Sequence, residues 1–138
     1  MDTRFSSAIH ALILISEAER PINSTAIAAS VGTNASYIRK LTTRLAKAGF
    51  VKSSRAAGGF TLTVPAQQIS LRDIYCAVTD TDRIQLFDIH GNPNDKCVVG
   101  AHIRPILTDV FARQQEALER ELTTTTLADC IASMRSRL

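Results

Sequence analysis

Between Arg20 and Arg72 the chain carries eight cations, Arg20, Arg39, Lys40, Arg44, Lys47, Lys52, Arg55 and Arg72, and not one Asp or Glu. Cationic side chains with no screening carboxylates among them attract a polyanion, and duplex DNA is the commonest one a folded surface meets. The other groups able to do chemistry are sparser. Cys97 follows Lys96 and precedes a long helical pattern, and a neighbouring cation and a helix N-terminus each favour thiolate, so it is a candidate redox or electrophile sensor. The plainer reading of Cys97 is a small, semi-buried residue. His90, Cys97 and His102, with Asp88 and Asp95 close by, are metal-ligating types, but their irregular spacing argues against a metal site. Cys76 and Cys130 fall on amphipathic stretches and read as core. No nucleophile–base–acid arrangement or phosphate loop is visible, so the chain does not read as an enzyme.

These residues must be positioned by helices. Phe5, Ile9, Leu12, Ile13 and Ser16 recur at three- and four-residue spacing, which predicts a first helix over about 3–18, ended by Arg20-Pro21. Asn23 or Ser24 caps a short second helix through Val31, and Gly32 breaks it. Asn34 caps a third helix to about Ala48, stopped by Gly49. Ile27, Ala28, Val31, Gly32, Ile38 and Leu41 then supply, in order, the apolar contacts, the close approach and the left-handed turn of a helix-turn-helix. A helical wheel puts Ser36, Arg39, Lys40, Thr43 and Lys47 on the face opposite Ile38, Leu41 and Leu45. That face, with Tyr37 beside it, has donors and acceptors of lengths suited to base edges and flanking phosphates.

Two β-prone runs follow, at about 50–53 and 60–64, joined by Arg55-Ala-Ala-Gly58-Gly59, and paired glycines between such runs signal a hairpin. This wing would lay Arg55, with Lys52 nearby, along the phosphates or into the minor groove, and Gly58 and Gly59 would bring its backbone close. Beyond Pro65 the pattern predicts a helix over about 71–78, an irregular stretch over 79–100 with a possible short strand at 84–87, and a long amphipathic helix over about 103–122. The apolar positions of the long helix are Ile103, Ile106, Leu107, Val110, Phe111, Leu118 and Leu122. A run of four Thr then breaks it before a last helix over about 127–135.

The Lys52-Ser-Ser-Arg-Ala-Ala-Gly-Gly-Phe-Thr-Leu62 stretch, with Ile69-Ser-Leu-Arg-Asp-Ile74 after it, resembles the wing and following helix of Rrf2-family winged-helix transcription factors. Thr25 to Lys40 is similar to the helix-turn-helix of that family. The resemblance implies a homodimer joined through the long helix and reading a two-fold-symmetric operator. The stripe from Ile103 to Leu122 independently allows a dimer, because one small domain does not easily cover so long an apolar face. Well-known members of the family ligate an iron–sulfur cluster through three cysteines between the wing helix and the long helix. Here that segment holds Cys97 alone, and one thiolate cannot hold a cluster that needs three or four protein ligands. Residues 92–100 resemble instead the cluster-free subgroup, so no cofactor is expected.

Composition agrees with this frame. With 138 residues, 45% hydrophobic, the chain can bury one proper core. Seven Phe and Tyr and no Trp leave little for stacking on single strands. Three widely separated cysteines do not make a secreted disulfide framework. No apolar run spans a bilayer and no signal-peptide pattern opens the sequence, so a cytoplasmic protein without a membrane partner is expected. Charge divides the chain: residues 1–65 carry eight basic and three acidic side chains, residues 66–138 eight basic and ten acidic. The expected architecture is mostly α with a small β-wing. Residues 1–78 would form a winged helix-turn-helix that binds double-stranded DNA, and residues 79–138 a loop, a long dimerisation helix and a terminal helix. The expected role is a repressor, since occupying an operator with no visible activation surface most simply blocks polymerase. Its effector, a small molecule or an oxidant, is not identified by any residue. The alternative is a winged-helix protein-interaction module that does not read DNA.

Overall fold

Asn23 and Asn34 each sit in extended backbone before a helix, and their side-chain oxygens accept from the amides of Ala26 and Tyr37 at 2.9 and 2.8 Å. These caps satisfy amides that the first helical turn leaves without partners. In the computed structural model, which describes residues 2–138, they start α2 (Ser24–Val31) and α3 (Ala35–Lys47). Between them Gly32 takes φ 87°, the left-handed conformation the tight turn requires. The preceding helix, α1 (Arg4–Glu17), lays Ala8, Ala11, Leu12 and Ile15 against this pair. Ala8, Ala11 and Ala28 are small enough to let the helices approach closely.

After α3, β1 (Val51–Ser54) and β2 (Gly59–Leu62) pair antiparallel, from Val51 opposite Leu62 to Ser54 opposite Gly59. A third extended piece, which sequence patterning does not suggest, completes this wing. Ile22 bridges Phe60, donating to its carbonyl at 3.4 Å and accepting from its amide at 2.8 Å. A short 3-10 turn, Ala66–Gln68, leads to α4 (Leu71–Thr79). A reciprocal capping box between Ser70 and Asp73 starts that helix.

The irregular stretch contains no strand at 84–87, against expectation. Ile84 is buried while Leu86 and Phe87 remain about half exposed, and the segment runs as a strap along the next helix rather than beside a sheet edge. Leu86 donates its amide to Gln115 at 2.8 Å, Phe87 packs on Phe111 with ring centroids 5.1 Å apart, and Arg104 donates to the His90 carbonyl at 3.1 Å. Those partners belong to α5 (Val98–Thr124). This helix begins about five residues earlier than patterning predicts. Gly100 makes the early start possible, because a Cβ there would lie 2.0 Å from the Asn94 carbonyl oxygen. Pro105 lies two turns inside α5, not at its start.

Thr126 and Asp129 form a second capping box that starts α6 (Leu127–Arg135). The chain returns here to the first half. Ser70 bridges Thr126, and Leu127 and Ile131 enter the core built from α1, α2, α3, Val51, Ile69 and α4. Arg135 clamps Glu17 with bonds of 2.8 to 3.1 Å. No helix among the described residues is long and apolar enough to cross a membrane.

Candidate nucleic-acid interface

The face of α3 opposite its buried Ile38, Leu41 and Leu45 carries Ser36, Arg39, Lys40, Thr43 and Lys47, all exposed. Among the described residues, Arg39 and Lys40 make no ion pair, and Lys47 has only the loose contact of its Nζ with Asp80 at 3.7 Å. Cations left unpaired by their own chain are free to meet phosphate or guanine. The Thr43 hydroxyl donates to the Arg39 carbonyl at 2.7 Å, which leaves its oxygen as an acceptor toward solvent. Tyr37 stands apart from this group: it is half-buried and packs against the core beside Arg4.

The wing follows α3, and β1 packs against that helix. Arg55 and Gly58 are exposed at its tip, and Lys52, Ser53 and Ser54 are exposed on β1. Lys52 and Arg55 likewise make no ion pair among the described residues. The Gly58 amide donates to the Ser54 carbonyl at 3.0 Å and the Ala57 amide to the Ser54 hydroxyl at 3.1 Å, closing the turn. Gly59 is demanded by contact, since a Cβ there would lie 2.3 Å from the Ile22 carbonyl group. The wing is thereby seated on the start of α2. Between the two lies a cleft of about 310 Å³ lined by Asn23, Ser24, Ser53, Ser54, Arg55 and the glycine pair. Sequence reasoning does not place Asn23 and Ser24 beside the wing; the capping role of Asn23 is the available signal.

The sulfur and histidine groups are dispersed. Cys97 is exposed at the position just before α5. The amides of Gly100 and Val99 in the first turn hold its thiol below the ordinary range. This is the effect expected of a helix N-terminus; Lys96 makes no comparable contribution. Burial pushes the thiols of Cys76 and Cys130 up. His10 bonds to the Ser30 hydroxyl at 2.9 Å and so joins α1 to α2. The His102 Nδ1 lies 2.7 Å from the Val98 carbonyl of its own helix. Among the described residues no three His, Cys, Asp or Glu side chains come together to hold a metal. The single thiol of the 79–97 segment does not fit an iron–sulfur cluster. A cleft of about 570 Å³ beside that segment, lined by Tyr75, Asp80, Thr81, Asp82, Arg83 and Gln85, presents both signs of charge and so does not define one ligand class.

Comparison with known proteins agrees with this geometry. Residues 1–133 match the family model described as Rrf2, iron-dependent transcriptional regulator. The chain is 38% identical over 129 residues to YwnA of Bacillus subtilis (strain 168), assigned as an HTH-type transcriptional regulator, covering 94% of this chain and 95% of that one. A crystal structure of a protein described as DNA-binding superposes with TM-score 0.74 at 34% identity, over 93% of this chain and 98% of the other. A protein from Lactobacillus plantarum described as a transcriptional regulator shares the fold with TM-score 0.80 at 24% identity, over 98% and 91% of the two chains.

Proposed function

This chain belongs to the Rrf2 family of transcriptional regulators, and from that premise we propose that it is a homodimeric repressor that reads a two-fold-symmetric DNA operator. The observation that carries the reading is the outward face of α3, where Arg39 and Lys40 have no ion pair among the described residues, together with a wing that presents two more unpaired cations. In this reading α3 enters the major groove, Ser36, Arg39 and Thr43 meet base edges, and Lys40 and Lys47 meet flanking phosphates. Lys52 and Arg55 hold the backbone from the wing, with the cleft beside Asn23 and Ser24 receiving a phosphate oxygen.

The dimer is supported by α5. Its 27 residues extend about 40 Å, yet none of them is buried. Val98, Val99 and Ile106 are 78%, 68% and 53% exposed. Val99 and Ile106 lie seven residues apart on one face near the start of the helix, and exposed apolar residues so placed are stable in water when a second copy covers them. Two α5 helices packed together would hold two α3 helices a fixed distance apart, which sets the half-site spacing. A dimer so bound blocks polymerase. Redox or ligand control would act through the 79–97 segment, where Cys97 lies.

The test is selection of duplex fragments by the purified, reduced protein at physiological salt with excess competitor DNA. Enrichment of one two-fold-symmetric site is the expected result. Failure to enrich any sequence, or binding that modest salt abolishes, overturns the operator-reading assignment and favours a protein-interaction module.

A further inference from the structure

Arg44 belongs to α3 but not to its outward face. At about 100° per residue, Ser36, Arg39, Thr43, Lys47 and Lys40 fall within one sector of the helix, and Arg44 falls about 40° past Lys40, toward the core residue Leu41. It is half-buried. Its Nη1 donates to the carbonyl oxygen of Val78 in the last turn of α4. Arg4, on α1, reaches the same oxygen at 3.4 Å. The last carbonyls of a helix lack intrahelical donors and carry the negative end of its dipole, so a guanidinium is a fitting cap. The Val78 side chain is fully buried, so the acceptor belongs to a turn anchored in the core. The next contact along α3 points the same way, with Lys47 lying 3.7 Å from Asp80, the left-handed residue that ends α4.

We propose that Arg44 is a positioning residue for DNA reading: it touches no nucleotide, and by tying α3 to the end of α4 it fixes the rotation at which Ser36, Arg39 and Thr43 meet the bases. The inference rests on the operator-reading assignment above. Ile38, Leu41 and Leu45 hold α3 by apolar contact, which is non-directional and fixes rotation about the helix axis less sharply than a hydrogen bond does. Side-chain tips stand about 6 Å from that axis, so a roll of about 20° moves them about 2 Å, more than a hydrogen bond tolerates. A directional bond from the flank removes this freedom.

Arg44→Gln is the test, with affinity for the selected operator and for a scrambled duplex measured across a salt series. Operator affinity is expected to fall about tenfold, scrambled-duplex affinity by less than about twofold, with the slope of log affinity against log salt unchanged. Loss of both affinities together, with the slope reduced by about 0.9, would make Arg44 a phosphate contact and overturn the proposal. Unchanged operator affinity overturns it equally. A readout on the wild-type protein holds even if the variant does not fold. On titration with operator, the side-chain N–H resonance of Arg39 is expected to move and that of Arg44 to stay, and an Arg44 shift as large as that of Arg39 overturns the assignment. A wild type that prefers no operator defeats the operator-reading assignment itself, and this inference with it.

Discussion

Arg39 stands exposed on α3 with no ion pair among the described residues, so its truncation removes what it does for a bound partner and little else. Arg39→Ala is expected to weaken operator binding by ~1–3 kcal/mol, read by fluorescence anisotropy, while the melting temperature stays put. Operator binding as tight as wild type would misplace the reading face. Cys97 is defined by its neighbours in another way. The amides of Val99 and Gly100 lower its thiol, whereas burial raises Cys76 and Cys130. The thiolate is the reacting form, so alkylation speeds up as pH rises through each thiol's own range. Cys97 is therefore expected to label with iodoacetamide at a lower pH than the other two, as peptide mass spectrometry would show. Equal labelling of all three at neutral pH would contradict this.

At the scale of elements, the wing is governed by one close approach. Gly59→Ala would force a Cβ to within 2.3 Å of the Ile22 carbonyl, so Ile22 and Phe60 must part. A loss of ~1–3 kcal/mol in stability is expected from this overpacking, measured by denaturant unfolding, together with weaker operator binding. The glycine pair was legible as a hairpin, but its contact with Ile22 was not, because a single bridging residue has no periodicity to read. The helices fared better. Asn23, Asn34 and Gly32 announce the turn by local hydrogen bonding and backbone preference, and the outward face of α3 follows from its period. Tyr37 shows the limit of that period, because its ring lies on the flank and packs inward. The Ile84-Gln-Leu-Phe87 run reads as a strand, yet its partners are Phe111 and Gln115, more than 20 residues on in the chain. The early start of α5 was hidden for a similar reason, since only the approach of Asn94 explains Gly100 inside a helix.

At the scale of the molecule, the proposed dimer rests on the exposed apolar residues of α5. Ile106→Asp, at a position 53% exposed in one chain, is expected to leave the fold intact and to shift sedimentation toward the monomer, with operator affinity falling alongside. A variant that sediments as wild type would remove α5 from the interface. The reading half also depends on the far end of the chain, since Leu127 is fully buried in its core. Leu127→Ala is expected to destabilise the whole protein by ~2–5 kcal/mol, with α3 and α6 unfolding in one transition rather than two. The return of α6 has a consequence for the order of synthesis. A nascent chain that has emerged only as far as the wing and α4 still lacks Leu127 and Ile131, so its core stays open where α6 will pack on α1 and the 3-10 turn. By the time residues 127–135 leave the ribosome, α5 has already been made. The core is thus completed only after the helix proposed to pair it has been made, and a chain cut short before α6 is expected to be too unstable to compete for the proposed operator.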